Sequence, residues 1–583
     1  MNNPLGEGAP EWARELATHY VEGAASVFLL HGNVHDLVSV PVSSTRRDEF
    51  VSLDHYLATQ LFGQRDIVLS YDRGSGIRFL APGSRDRRSQ MQEDLHKTLK
   101  AIDLISGTSY ANAPLKDPKL VFELLDRYIL HKIVDTPDNG NRKGLAIVIR
   151  YIETITPAVD SSMLSGELGA NLIKVLNWAN DPGIRGADVT LCLVAEALGD
   201  VSRRLVENPF ISKVEVDLPD EPTRERFAKT LFTDAKAARD VAREGNGLTL
   251  VGLAQAVGSS GDEGKRVDLE RLREAKKELI EKQCFGLVEF VAPSYDLDTV
   301  VAPAAVKERL EQDVRLFKNG RLDALPMGYL LCGVIGTGKT FTAMCLAGSL
   351  GIPTIVFKNL RSKWVGSSEG NLQKVLSVIK ALGPVVVVID EADAALGSRA
   401  AGGDSGTSSR MFAMISSLMS DTRYRGKILW MLLTCRPDLL PVDLKRQGRC
   451  EVHIPLFPPE TEAQRKEMFL AMARKNGVAI DGSELPPLPA ELSGADIESL
   501  LVQCVRRAAI AGAHAPTAQH VRETLAHFRT PDYGLEKELQ QLVAIRESTD
   551  SMFIPQSLRE RYATPEKGPA LEHRIQEIAS LLQ

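Results

Sequence analysis

A chain of 583 residues with 44% hydrophobic content is long enough for three or four domains with substantial cores, which excludes a disordered or fibrous protein. The formal net charge of −6, with no long Lys/Arg run, argues against a nucleic-acid partner, and seven cysteines without a C-x-x-C pair read as reduced, mostly buried residues of a cytoplasmic protein. No apolar run reaches the roughly 20 residues of a membrane span, and the polar start Met1 to Pro10 has no signal-peptide core, so no membrane insertion is expected.

Val27 to His31 is the first predicted strand, and it ends in Gly32-Asn33-Val34-His35-Asp36. His31 and His35 lack carboxylate or cysteine support, so no metal site is assigned there. Leu145 to Ile149 predict an apolar strand followed by Arg150-Tyr151. Further strands are expected at Val189 to Val194 and Val214-Glu215-Val216, before Leu218-Pro219-Asp220-Glu221-Pro222-Thr223-Arg224. Gly258 to Gly264 is a flexible break ahead of a charged helix from Val267 to Lys282.

Tyr329 to Cys332 read as a buried strand, and Phe341 to Leu350 carry apolar residues at helical spacing. Between them Gly333-Val334-Ile335-Gly336-Thr337-Gly338-Lys339-Thr340 fits G-x-x-x-x-G-K-T. The glycines let backbone N–H groups converge on a phosphate chain at a helix N-terminus, Lys339 reaches the β- and γ-phosphates, and the Thr340 hydroxyl can ligate Mg²⁺. Val385 to Ile389 is β-branched throughout and ends in Asp390-Glu391, the pattern of a central parallel strand delivering two carboxylates at its C-terminal edge. Asp390 would hold Mg²⁺ through water, and Glu391 would polarise the water that attacks the γ-phosphate. Strands are also expected at Leu429 to Leu433 and Val452-His453-Ile454. Helices Leu535 to Glu547 and Ala570 to Leu582 would form a C-terminal extension.

Counted from Ile149 and Ile389, the later strands of the two halves match within one or two residues, and both run into related text, Leu218 to Arg224 and Phe457-Pro458-Pro459-Glu460-Thr461. This is an internal repeat whose first copy has lost the phosphate and magnesium chemistry. An unrelated α/β domain of coincidental spacing is the alternative.

With these motifs in order, the second half resembles the AAA family, of the hexameric segregase and unfoldase type. Leu432 to Leu440 followed by Arg446-Gln447-Gly448-Arg449 is similar to that family's second region of homology. The resemblance implies that Arg446 and Arg449 reach a neighbouring subunit's site, so hydrolysis needs a ring. Ser493-Gly494-Ala495-Asp496 resembles the start of the lid helix over the nucleotide, with Gly494 and Ala495 near it. Asp296 to Val301 resembles the approach to the adenine pocket, and Lys363-Trp364-Val365-Gly366 looks like the aromatic pore loop that grips a polypeptide. Trp364 could instead pack under the lid or at a subunit contact, and Gly402 to Ser409 is either a second pore-facing loop or a solvated linker. Two departures stand out. Cys435 replaces an asparagine that positions the hydrolytic water, a task for which cysteine is a poor donor and acceptor, leaving Thr434 to compensate. Val334-Ile335 replaces Pro-Pro.

The resemblance implies an α/β fold: a P-loop AAA core, a parallel sheet flanked by helices, with a helical lid, preceded by a degenerate AAA-like α/β module. Expected bounds are 1–285 for the degenerate module, 286–459 for the core, 460–530 for the lid and 531–583 for the C-terminal extension. The expected activity is ATP hydrolysis with Mg²⁺ in a homo-oligomeric, hexameric ring that remodels, unfolds or threads protein substrates, chaperone-fashion, with a protein substrate or adaptor as partner. No H-E-x-x-H motif is present. A nucleotide-gated scaffold with little hydrolysis and a nucleic-acid remodeller are the other readings.

Overall fold

The run Val385–Ile389 offers no polar side chain to solvent, and all five of its residues are buried in the middle of a sheet. The computed structural model describes residues 5, 8–40, 49–112, 115–134, 144–159, 166–260, 268–358, 369–396, 407–490, 492–530, 533–563 and 565–582. The chain divides into two compact units, Met1–Phe285 with Gly366–Leu382, and Gly286–Val365 with Gly383–Gln583.

In the first unit the strands are β1 (Val27–Gly32), β2 (Leu37–Val40), β3 (Glu49–Ser52), β4 (Ile67–Asp72), β5 (Gly76–Phe79), β6 (Leu145–Arg150), β7 (Val189–Val194) and β8 (Ile211–Val216). A six-stranded sheet runs β5-β4-β6-β7-β1-β8, parallel except for β5, while β2 and β3 form a separate hairpin. β1 alternates between two cores, Val27 and Leu29 on one face and Phe28 and Leu30 on the other, as a strand buried on both faces must. Four helices follow β8: Glu221–Leu231, Ala235–Glu244, Leu250–Ser260 and Leu269–Gln283. The last is the charged helix expected from Val267. Residues 261–267, which include most of the expected glycine-rich break, lie outside the described residues.

The second unit holds β9 (Val288–Val291), β10 (Gly328–Gly333), β11 (Thr354–Phe357), β12 (Val385–Ile389), β13 (Ile428–Thr434) and β14 (Val452–Leu456). Their order, read from the antiparallel edge, is β9-β11-β12-β13-β10-β14; the five parallel strands follow the same order as in the first unit's sheet, while the antiparallel edge strand comes before them in the chain here and after the second of them there. The repeat extends to conformation. Tyr151 and Glu391, each two residues beyond its strand's last isoleucine, both have positive φ, 53° and 47°. Gly32 and Gly333 end their first strands beside Val216 and Leu456, where a Cβ would come within 2.7 and 2.1 Å of the neighbour's carbonyl oxygen. Arg224 and Arg465 are buried at the strand-to-helix junctions and donate to the carbonyls of Pro219 and Pro459.

Beyond β14, helices Glu462–Lys475, Gly494–Ile510 and Ala518–Leu525 pack on Met468, Phe469, Leu500, Leu501 and Val521. The C-terminal segment belongs to the same unit. Helices Gly534–Glu547 and Gly568–Leu581 close on each other through Leu539, Leu542, Val543, Leu571 and Ile575, together with Phe457 at the end of the core. A short helix between them, Gln556–Tyr562, was not expected from its polar sequence. Among the described residues no helix is long and apolar enough to cross a membrane.

Candidate functional site

The expected phosphate loop joins β10 to the helix Lys339–Leu350. Gly336 has φ 79°, and a Cβ there would press on Ser493 Oγ and the Ala495 methyl, so the lid helix can sit against the loop only because this position is glycine. Ala495 N–H donates to Gly336 O at 3.0 Å, and a Cβ on Gly494 would come within 3.1 Å of that carbonyl. A capping box, Ser493 with Asp496, starts the lid helix at this contact. Val334 is buried and Ile335 is 57% exposed, while the Thr337 hydroxyl donates to Val334 O at 2.8 Å. Lys339 is 9% exposed, and its ammonium donates to Gly333 O and Val334 O at 3.0 Å each, which holds the charge inside the loop's curve.

Thr340, in the first turn of that helix, donates its hydroxyl to Asp390 Oδ2 at 2.8 Å, and Asp390 Oδ1 accepts from Glu391 N–H at 2.8 Å. Two hard oxygen donors thus meet at the carboxyl edge of the sheet, beside helical N–H groups that suit a phosphate; the pair fits Mg²⁺ in a phosphate site. Glu391 is exposed in the left-handed region, a conformation that costs a non-glycine residue about 1–3 kcal/mol and that gathers at functional sites.

Thr434, the last residue of β13, is buried. Its hydroxyl donates to Asp393 Oδ1 at 2.6 Å and accepts from Arg436 N–H at 2.8 Å. Its proton is committed to Asp393, a residue to which the sequence assigns no role beyond its place in the run Asp390-Glu391-Ala392-Asp393 that shares in the family resemblance. Cys435 is half-buried beside it, and the other six cysteines are buried and free. Arg446 is exposed, 3.4 Å from Asp443, whereas Arg449 is 9% exposed and donates to Asp443 O at 2.7 Å. The approach segment packs over the P-loop helix: Leu297 N–H donates to Ser349 Oγ, and Tyr295 lies against Phe341 with ring centroids 5.6 Å apart. Trp364 and Val365 lie outside the described residues, as do 402–406; the last residues of that expected loop begin a helix, Thr407–Met419. A residue missed in the sequence is Gln540, whose Oε1 accepts from Ile335 N–H at 2.9 Å.

The first unit closes the equivalent junction with its own carboxylate. Asp36, 5% exposed, accepts from Leu250 N–H at 2.8 Å and Val251 N–H at 3.1 Å, at the start of the helix Leu250–Ser260. A negative side chain therefore occupies the helix N-terminus. Arg150, at the position of Asp390, pairs with Asp54 at 3.0 Å, and Tyr151, at that of Glu391, stacks on His35. Among the described residues no group of three or more His, Cys, Asp or Glu could hold a metal ion.

Residues 3–217 match a family described as AAA+ chaperone, N-terminal Rossmann-like domain; 223–285 match AAA+ chaperone, second helical domain; and 329–457 match ATPase family associated with various cellular activities (AAA). The chain is 28% identical over 313 residues to "Uncharacterized AAA domain-containing protein ycf46" of Trieres chinensis, covering 51% of this chain and 62% of that protein. It is 32% identical over 231 residues to "ATP-dependent zinc metalloprotease FtsH" of Caldicellulosiruptor bescii, covering 38% of this chain and 37% of that protein. It is 34% identical over 179 residues to "Cell division cycle protein 48 homolog" of Archaeoglobus fulgidus, covering 30% of this chain and 24% of that protein. The matches thus span between about a quarter and under two thirds of the length of these relatives.

Proposed function

Because the chain belongs to the AAA ATPase family, we infer that its second unit binds and hydrolyses ATP, and that rings of the chain use the cycle to remodel, unfold or thread protein substrates. The observation that carries this reading is the 2.8 Å contact between Thr340 and Asp390 beside the buried Lys339 ammonium, with Glu391 next in the chain. Backbone N–H groups of the loop and the Lys339 ammonium hold the phosphates, and Thr340 and Asp390 hold Mg²⁺, which when bound neutralises charge on the phosphate oxygens. Glu391 orients and polarises the attacking water. Arg446, presented to a neighbouring copy, stabilises charge developing on the phosphoryl group, an effect worth about 10³ to 10⁵ in rate, and Arg449, expected from the sequence to share that role, is buried and holds the turn. The cation inventory is consistent with this division of labour: Arg446 is exposed, and Arg449 supports the same turn from beneath. The hexameric ring, the cytoplasmic location and a protein substrate or adaptor belong to the same proposal, with Trp364 as the gripping side chain.

The test is Glu391→Gln. Nucleotide affinity is expected to stay within twofold of wild type while hydrolysis falls about 10² to 10⁴-fold, the range for a removed general base. Hydrolysis at the wild-type rate would falsify the role given to Glu391. A second reading, a nucleotide-gated scaffold with little hydrolysis, is favoured by one observation: the Thr434 proton goes to Asp393, which leaves Cys435 as a weak partner for the water. Turnover no faster in wild type than in Glu391→Gln selects it.

A further inference from the structure

The helix Gly534–Glu547 buries Leu539, Leu542, Val543 and Ile545, and among these apolar residues sits Gln540, 5% exposed. A buried amide in an apolar face is costly unless it is bonded. Its Oε1 takes the N–H of Ile335 at the crest of the phosphate loop, at 2.9 Å. Ile335 stands where the family pattern has proline, which has no N–H to give. This N–H also precedes those of Gly336 to Thr340 that cradle a phosphate, so the bond pins the loop without consuming a ligand contact.

Two helical turns further on, roughly 10 Å along the axis, Glu547 ends the same helix. Its carboxylate accepts from Lys445 Nζ at 2.6 Å, in a pair whose side chains are only 10% and 15% exposed. Lys445 immediately precedes Arg446 and also donates to Pro437 O at 2.9 Å. The ring of His453 adds a third tie, with one nitrogen 2.9 Å from Glu547 O and the other 3.0 Å from Cys450 O, next to Arg449. One rigid helix therefore grips the crest of the chain's own phosphate loop near its middle and the root of the arginine segment at its end.

We propose that Gln540 and Glu547 are positioning residues that couple the state of a subunit's own phosphate loop to Arg446, which it presents to the next subunit. The proposal rests on the trans role of Arg446 given above. Gln540 sets the loop and acts in cis, whereas Glu547 sets the arginine turn and acts in trans.

The experiment is a double-mutant cycle on assembled full-length protein, reading the dissociation constant of a fluorescent ATP analogue and kcat separately. Gln540→Met is expected to weaken nucleotide binding roughly tenfold, the scale of one neutral hydrogen bond. Ile335→Pro removes the same bond from the other side without touching the helix and is expected to remove the effect of Gln540→Met when the two are combined. Glu547→Gln is expected to leave nucleotide affinity unchanged and to lower kcat several-fold. In kcat the pair Gln540→Met and Glu547→Gln should be non-additive, because either change already disconnects the helix. Additive effects on kcat, or a loss of assembly alone with kcat per assembled subunit unchanged, overturn the coupling. An Arg446→Ala variant in the same series separates the two failures. If it retains full turnover, the trans reading has failed; if it loses turnover while the cycle is additive, only the coupling has.

Discussion

At the scale of single residues, the two units differ in what stands at matched positions of one backbone. A strained left-handed residue follows the third strand of the repeat in both, and it is a carboxylate only in the second, Glu391 against Tyr151. By strand register Ala195 and Glu196 hold the positions of Thr434 and Cys435, so the first unit has no hydroxyl at that strand end. What it has instead is a hydrogen-bonded pair. His35 lies 3.1 Å from Glu196, and the bond from His35 pulls the Glu196 carboxyl down from 4.5 to about 2. A carboxyl whose pKa is lower in the fold than in the unfolded chain adds stability that is present above about 4.5 and lost as the pH falls toward 2. Denaturant midpoints measured between pH 5 and 2 should therefore fall more steeply for wild type than for Glu196→Gln. Parallel curves would remove this pair from the account of how the first unit is held.

At the scale of elements, strands were the most legible feature. Leu145–Arg150, Val189–Val194 and Val385–Ile389 are short apolar runs with flanking punctuation, and each is a buried central strand. β4 was missed although Ile67-Val68-Leu69 is apolar, and the helix Gln556–Tyr562 was missed because seven mostly polar residues carry little period; Pro555 at its start was the one available signal. Of the site, Lys339, Thr340, Asp390 and Glu391 could be read because each chemistry needs one residue type at one spacing. Gln540 and Asp393 could not, since their partners are distant in sequence or depend on a strand register that local pattern does not encode. The loop around Trp364 lies outside the described residues, and the gripping role proposed for it rests on the sequence-tolerant, amphipathic surface an aromatic ring offers. Trp364→Ala should keep ATP hydrolysis within about twofold and abolish ATP-dependent unfolding of a tagged reporter protein. Unfolding at the wild-type rate would sink the pore-loop role.

At the scale of the whole molecule, one fold is present twice and the chemistry once. The first unit satisfies the junction between strand, loop and helix with Asp36, whose carboxylate fills a helix N-terminus that in the second unit abuts the phosphate loop. It keeps the architecture without the Gly-Lys-Thr and Asp-Glu residues of the second unit. The second unit carries the C-terminal helices within its own core, so that segment is part of the unit proposed as the nucleotide machinery rather than an appended tail. The central claim is that this machinery is completed only between copies of the chain. It is tested most directly by steady-state ATP hydrolysis measured across protein concentration, with assembly followed by sedimentation, for wild type and Arg446→Ala. The account predicts that turnover per subunit rises with assembly in wild type and falls about 10³-fold or more in Arg446→Ala rings that still assemble and bind nucleotide. Turnover independent of concentration, and unchanged in Arg446→Ala, would contradict it.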